Sequence, residues 1–149
     1  MTNILNSQSS PIFKATLATP VANVTGDGTV YTCLFDTLAS GSGYNPATGN
    51  FTCSVPGDYL LIARVNVTGA TSSHTICTGT FVASTGSYLV CDFNLATGKT
   101  SANAMIFTPA VMVLRMATGD TVHFDIKASN GTKVVTFGAL SQFQGVRLP

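Results

Sequence analysis

The sequence predicts an all-β protein, a sandwich or jelly roll of about ten strands. Three observations carry this. Val, Ile, Thr, Phe and Tyr recur in short alternating runs almost from end to end, and no stretch keeps a helical period. Gly, Asn, Asp and Pro punctuate those runs at regular intervals. Only 9% of residues are charged, and all six acids are aspartate, which removes the Glu that long helices and coiled coils depend on.

Taken in order, the expected strands cover residues 12–17, 29–36, 51–55, 59–68, 75–83, 88–93, 104–116, 121–128, 134–140 and 143–148. Turn signals separate them at Gly26-Asp27-Gly28, Gly41-Ser42-Gly43, Asn45-Pro46, Pro56-Gly57, Thr85-Gly86, Thr97-Gly98, Gly119-Asp120 and Asn130-Gly131. Residues 1–10 are polar and read as a flexible arm, leaving 11–149 as one domain. Along 121–128, Val122, Phe124 and Ile126 share one face and His123, Asp125 and Lys127 the other, the mark of a half-exposed strand. Two other strands are apolar on both faces. From Asp58, Tyr59, Leu61, Ala63 and Val65 oppose Leu60 and Ile62; from Ala110, Val111 and Val113 oppose Met112, Leu114 and Met116. A second apolar face needs a second burial partner. Self-association supplies it, with Leu60, Ile62, Met112 and Leu114 as the expected interface.

Several function classes are excluded. Net charge +1 with scattered cations does not suit nucleic-acid binding. The most apolar stretches are interrupted by Arg64, Asn66, Thr108 and Arg115, so no membrane-inserted helix is expected. The N-terminal segment has neither a basic end nor an apolar core, so no signal peptide is expected. His123 and Asp125 form an i, i+2 pair with no third partner in view. His74 lies in the loop-like run 69–75 beside no nucleophile motif. The chain is therefore expected not to be an enzyme. The four cysteines (Cys33, Cys53, Cys77 and Cys91) lack the C-x-x-C spacing of a zinc site. The four Asn-x-Thr sequons at Asn23, Asn50, Asn66 and Asn130 are ordinary in so Thr-rich a chain.

The segment from Tyr44 to Tyr59 resembles the signature of the complement C1q globular-head family. Tyr44, Pro46, Thr48, Gly49, Phe51, Cys53, Val55, Pro56, Gly57 and Tyr59 stand in the expected places. Phe13-Lys14-Ala15 is similar to the family's first strand. The run from Val113 to Val122 resembles its late leucine-rich strand followed by Gly-Asp-x-Val. Ser141, Phe143, Gly145 and Leu148 match its closing motif. Departures are Cys33, Leu61 and Ala63, where the signature has aromatics, and Ala39, where it has Asn or Asp.

The resemblance implies a ten-stranded jelly roll, shared with the tumour necrosis factor family, assembled as a homotrimer that binds rather than catalyses. It also implies a Cys77–Cys91 disulfide, as in some relatives; four buried thiols is the reading left open beside it. No cofactor is expected. Some relatives hold calcium near the trimer axis, but Asp27, Asp36, Asp58 and Asp92 are isolated here, so calcium would have to be held between chains.

The function expected is a trimeric recognition or attachment protein on a virus or phage surface, such as a capsid spike, head fibre or receptor-binding tail head. It would be anchored in a larger virion assembly by the N-terminal arm and would contact a host-surface glycan or protein. The loops expected to make contact are 41–44, 69–75 and 96–101, with Ser42, Tyr44, Ser73, His74 and Lys99 as candidate contact residues. The alternatives are a secreted recognition or signalling domain and a purely structural capsid decoration protein.

Overall fold

The computed structural model describes residues 12–98 and 109–149, together with the backbone of Met105 and Ile106. The strands are β1 (Phe13–Thr16), β2 (Val21–Thr25), β3 (Val30–Thr32), β4 (Thr37–Gly41), β5 (Tyr44–Asn45), β6 (Asn50–Thr52), β7 (Gly57–Thr68), β8 (Ile76–Ala83), β9 (Gly86–Phe93), β10 (Met105–Ile106), β11 (Ala110–Met116), β12 (Thr121–Ser129) and β13 (Val135–Arg147). A single helical turn, Leu95–Gly98, follows β9. The strands form two antiparallel sheets. The first runs β10-β7-β13-β1-β4, with β11 also on β7 and β2 also on β13; the second runs β5-β6-β12-β8-β9, with β3 also on β12. This is the all-β jelly-roll sandwich expected from the sequence. Among the described residues no helix is long and apolar enough to cross a membrane.

The alternation of β7 decides its burial. Tyr59, Leu61, Ala63, Val65 and Val67 are buried between the sheets, while Leu60, Ile62 and Arg64 face out and are half-buried. An aromatic cluster joins the two sheets. Phe13 of β1 stacks on Phe51 of β6 at 4.4 Å between ring centroids and meets Phe143 of β13 edge-on at 4.9 Å. Phe81 of β8 meets Phe124 of β12 edge-on at 4.9 Å. Such offset and edge contacts add to the burial of each ring. The closeness of the packing explains one glycine of the closing motif: a Cβ at Gly145 would stand 2.5 Å from the Phe13 ring.

The elements differ from expectation where side chains take over backbone bonding. Only Val30–Thr32 of the expected strand 29–36 joins a sheet. Beyond it, the Tyr44 hydroxyl accepts the Phe35 N–H at 3.0 Å. The Asp36 carboxylate accepts the Ala18 and Thr19 N–H groups at 2.8 and 2.9 Å, tying this segment to the end of β1 without a ladder. The expected strands 134–140 and 143–148 form one strand, β13, whose pairing with β7 is interrupted between Gly138 and Gln142. There the Ser141 hydroxyl accepts the Asn66 N–H at 2.9 Å and donates to the Gly138 carbonyl at 2.7 Å, which holds the bulge.

Candidate functional site

The outward side of the first sheet carries the most distinctive surface. Residues paired across strands share a face. Val111 of β11 lies opposite Ile62, Val113 opposite Leu60 and Arg115 opposite Asp58. On the other flank of β7, Val146 of β13 lies opposite Leu60 and Gln144 opposite Ile62; Lys14 of β1 lies beyond, opposite Gln144. Val111 and Val113 are 52% and 57% exposed, and Leu60, Ile62 and Val146 are half-buried. An apolar patch thus spans three strands and grades into glutamine and lysine. At its edge Arg115 Nη1 meets Asp58 Oδ2 at 3.3 Å in an exposed pair, a contact worth at most about 1 kcal/mol.

This arrangement keeps Leu60 and Ile62 as surface residues and corrects the other half of the expected interface. Leu114 is buried, and Met112 is packed against the core. In β11 the outward residues are Val111, Val113 and Arg115, so the phase runs opposite to the one expected. Pairing Met112 with the inward Leu61 and Leu114 with the inward Tyr59 fixes this phase.

Of the expected contact loops, 41–44 stands apart from 69–75, while the start of 96–101 meets 69–75. Gly41 lies level with Phe13, Gly145 and Leu61 across the first sheet, whereas the 69–75 loop begins beyond Thr68. Seven residues of β7 separate these levels, roughly 23 Å at the usual strand rise. Ser42 is exposed, and its N–H donates to the Ile12 carbonyl at 3.0 Å. Tyr44 is buried, which corrects its expected contact role: its ring belongs to the aromatic core, its hydroxyl is used by Phe35, and burial pushes its pKa up to about 12. Ser73 is exposed. Lys99 lies outside the described residues, as do the arm 1–10 and part of the loop 96–101.

His74 is also corrected, because it is fully buried. Its Nδ1 accepts the Thr71 N–H at 2.9 Å, so Nε2 carries the proton and donates to the Thr132 carbonyl at 2.9 Å. Gly131 leaves the space that the ring fills; a Cβ there would stand 2.5 Å from Nε2. His74 is therefore a strut between the 69–75 and 130–133 loops. The Ala96 N–H donates to the His74 carbonyl at 2.9 Å and draws the turn after β9 into the same corner.

All four cysteines are free thiols, so the Cys77–Cys91 bridge implied by the resemblance is absent. The β8–β9 register sets Cys77 opposite Phe93 and Cys91 opposite Gly79. The two thiols are thus diagonal neighbours, a relation that spans about 7–8 Å, beyond the usual Cα separation of a disulfide. Burial pushes the Cys77 thiol up to about 12, and burial likewise raises Cys91 and Cys33.

On the outward side of β12, His123 Nδ1 donates to Asn50 Oδ1 at 2.9 Å, and its Nε2 lies 3.3 Å from Asp125 Oδ1. Among the described residues, no group of three or more His, Cys, Asp or Glu side chains is placed to hold a metal ion.

The family model of the C1q domain matches residues 13–146. Among solved structures, the globular domain of zebrafish complement 1qA protein is similar at 20% identity and a TM-score of 0.61, covering 94% of this chain and 98% of that one. Murine APRIL, in a crystal structure at pH 8.5, is similar at 13% identity and a TM-score of 0.57, covering 91% of this chain and 97% of that one. At these identities the likeness is one of fold. No curated protein matches the chain.

Proposed function

The chain belongs to the C1q domain family, and from that premise we propose that it works as a homotrimer whose task is binding. C1q and tumour necrosis factor-like domains are in general non-enzymatic recognition domains, their family members form homotrimers, and they are typically extracellular or secreted. The observation that carries the proposal for this chain is the patch of Val111, Val113, Leu60, Ile62 and Val146. An apolar surface continuous across three strands is unusual on a monomer unless something covers it, and a second and third copy of the same domain is the cover this reading assigns.

The finer reading is attachment: a virus or phage surface protein that contacts a host-surface glycan or protein, with Ser42 and Ser73 in its exposed loops and residues 1–10 joining it to a larger particle. The sparsely charged, Thr-, Ser-, Asn- and Gly-rich composition supports it. The family's usual extracellular setting favours the second reading, a secreted recognition domain. Binding of labelled protein to candidate host cells tests attachment. Saturable binding, abolished by glycosidase or protease treatment of the cells and weakened about a hundredfold or more when the trimer is split, is expected from avidity. Absence of saturable binding to every host cell tried would overturn the attachment reading.

A further inference from the structure

The outward side of the second sheet carries a different surface. The register brings Asp125 of β12 between Thr32 of β3 and Thr80 of β8, and brings Lys127 between Val30 and Thr78. His123 lies opposite Val82, which lies opposite Ser87 of β9. A concavity of about 240 Å³ opens across these strands. Its polar lining is the hydroxyls of Thr78, Thr80 and Ser87, the Asp125 carboxylate and the Lys127 ammonium; Val30 and Val82 give it an apolar part.

These polar groups have not been spent on the fold. Among the described residues, none of the three hydroxyls and neither Lys127 Nζ nor Asp125 Oδ2 makes a protein hydrogen bond. Asp125 Oδ1 is buried without a hydrogen-bond partner, 3.3 Å from His123 Nε2, and the His123 ring is held from its other side by Asn50 Oδ1. Oδ1 is thus enclosed without a donor, while Oδ2 is not enclosed and is left for a ligand.

We propose that this concavity binds a single neutral sugar residue, the end of a glycan chain. The chemistry selects that class. The site offers a pure acceptor, a pure donor and three groups that do both, which suits a ligand carrying several hydroxyls. Asp125 offsets the charge of Lys127, so a phosphate or other strong anion meets a carboxylate beside the one cation. An apolar ligand would leave five polar groups without partners. Along each strand the polar side chains are two residues apart, roughly 7 Å, and the strands are about 5 Å apart, the scale of one sugar ring with its hydroxyls. The volume is below the roughly 300–1,000 Å³ of sites that enclose drug-sized ligands, so one residue fits and an oligosaccharide does not. The proposal rests on the binding reading above and supplies its ligand class, at a place other than the expected loops.

The test is amide chemical-shift mapping on the full chain with galactose, mannose and N-acetylglucosamine, each titrated to about 10 mM, the range in which single-sugar contacts become visible. At least one sugar is expected to shift the amides of Thr78, Thr80, Ser87 and Lys127. Thr80→Val and Asp125→Asn, which keep side-chain shape, are each expected to weaken that sugar about tenfold while leaving amides remote from the site in place. No shift at these amides with any of the sugars would overturn the proposal, as would shifts unchanged in both variants. Shifts confined to 41–44 and 69–75 would also overturn it while upholding the loops as the contact. Sugar binding at this site in a protein that ignores every host cell would uphold the site and count against attachment alone.

Discussion

Replacing Val113 with Asp separates assembly from folding. In the single chain Val113 is 57% exposed on the outward face of β11. The substitution there removes little packing and costs only the strand preference of valine, up to about 1 kcal/mol. In the proposed trimer the same position is covered. Full burial of a valine is worth about 1.5–3 kcal/mol, so the half left exposed in one chain contributes about 1 kcal/mol per subunit to assembly. An unpaired buried carboxylate then costs several kcal/mol more. Over three subunits the loss is on the order of 10 kcal/mol, about seven decades in the association constant. Size-exclusion chromatography with light scattering, paired with circular dichroism, reads both effects. V113D should elute at the 15.4 kDa mass of one chain with a β spectrum and a cooperative melt. Leu114→Asp, one residue on but inward and buried, should lose the fold. V113D at the parental mass, or L114D folded while V113D is not, would refute the assignment of the outward face.

Three further outcomes are expected. His74→Ala should destabilise the fold by about 2–4 kcal/mol, since it opens a cavity and strips partners from Thr71 and Thr132; a thermal melt should show a drop of roughly 5–15 °C, and an unchanged melt would contradict the strut. Thiol titration of protein purified without reductant should count four thiols after denaturation, as the free cysteines require, whereas two would indicate the Cys77–Cys91 bridge. Stability should fall as pH rises above about 9. The unfolded chain ionises its cysteines near their ordinary pKa, while burial holds the folded Cys77 thiol protonated up to about 12. The folded state therefore binds more protons in that window and loses up to about 1.4 kcal/mol per pH unit for each such thiol; a urea midpoint that stays flat or rises from pH 8 to 10 would contradict this.

The fold was legible because its strands declare themselves by parity. In β7 the inward set includes Tyr59, Ala63 and Val65, and the outward set is marked by Arg64 and Asn66. In β12 the polar triplet His123, Asp125 and Lys127 marks the exposed side just as clearly. β11 misled because Val111 to Leu114 are all apolar, so hydrophobicity carries no phase there. The usable signal was Arg115, whose parity is that of Val113 and Val111 and which had to reach solvent. Tyr44 and His74 misled for another reason. Each stands among small polar turn residues, yet each is buried by distant partners: Phe35 and Phe143 around Tyr44, and Thr132, Gly26 and Gly131 around His74. Such contacts depend on how loops meet, which no local pattern encodes. The concavity on the second sheet is an intermediate case. The residues of β12 were visible by parity, but Thr78 and Thr80 join them only through the β8–β12 register.

The mass of the unmodified chain in solution tests the central claim most directly. Sedimentation equilibrium at micromolar concentration should return three times the 15.4 kDa chain mass, with the patch around Val113 and Leu60 covered. A single species at the mass of one chain would contradict the trimer and leave that apolar face without its assigned partner.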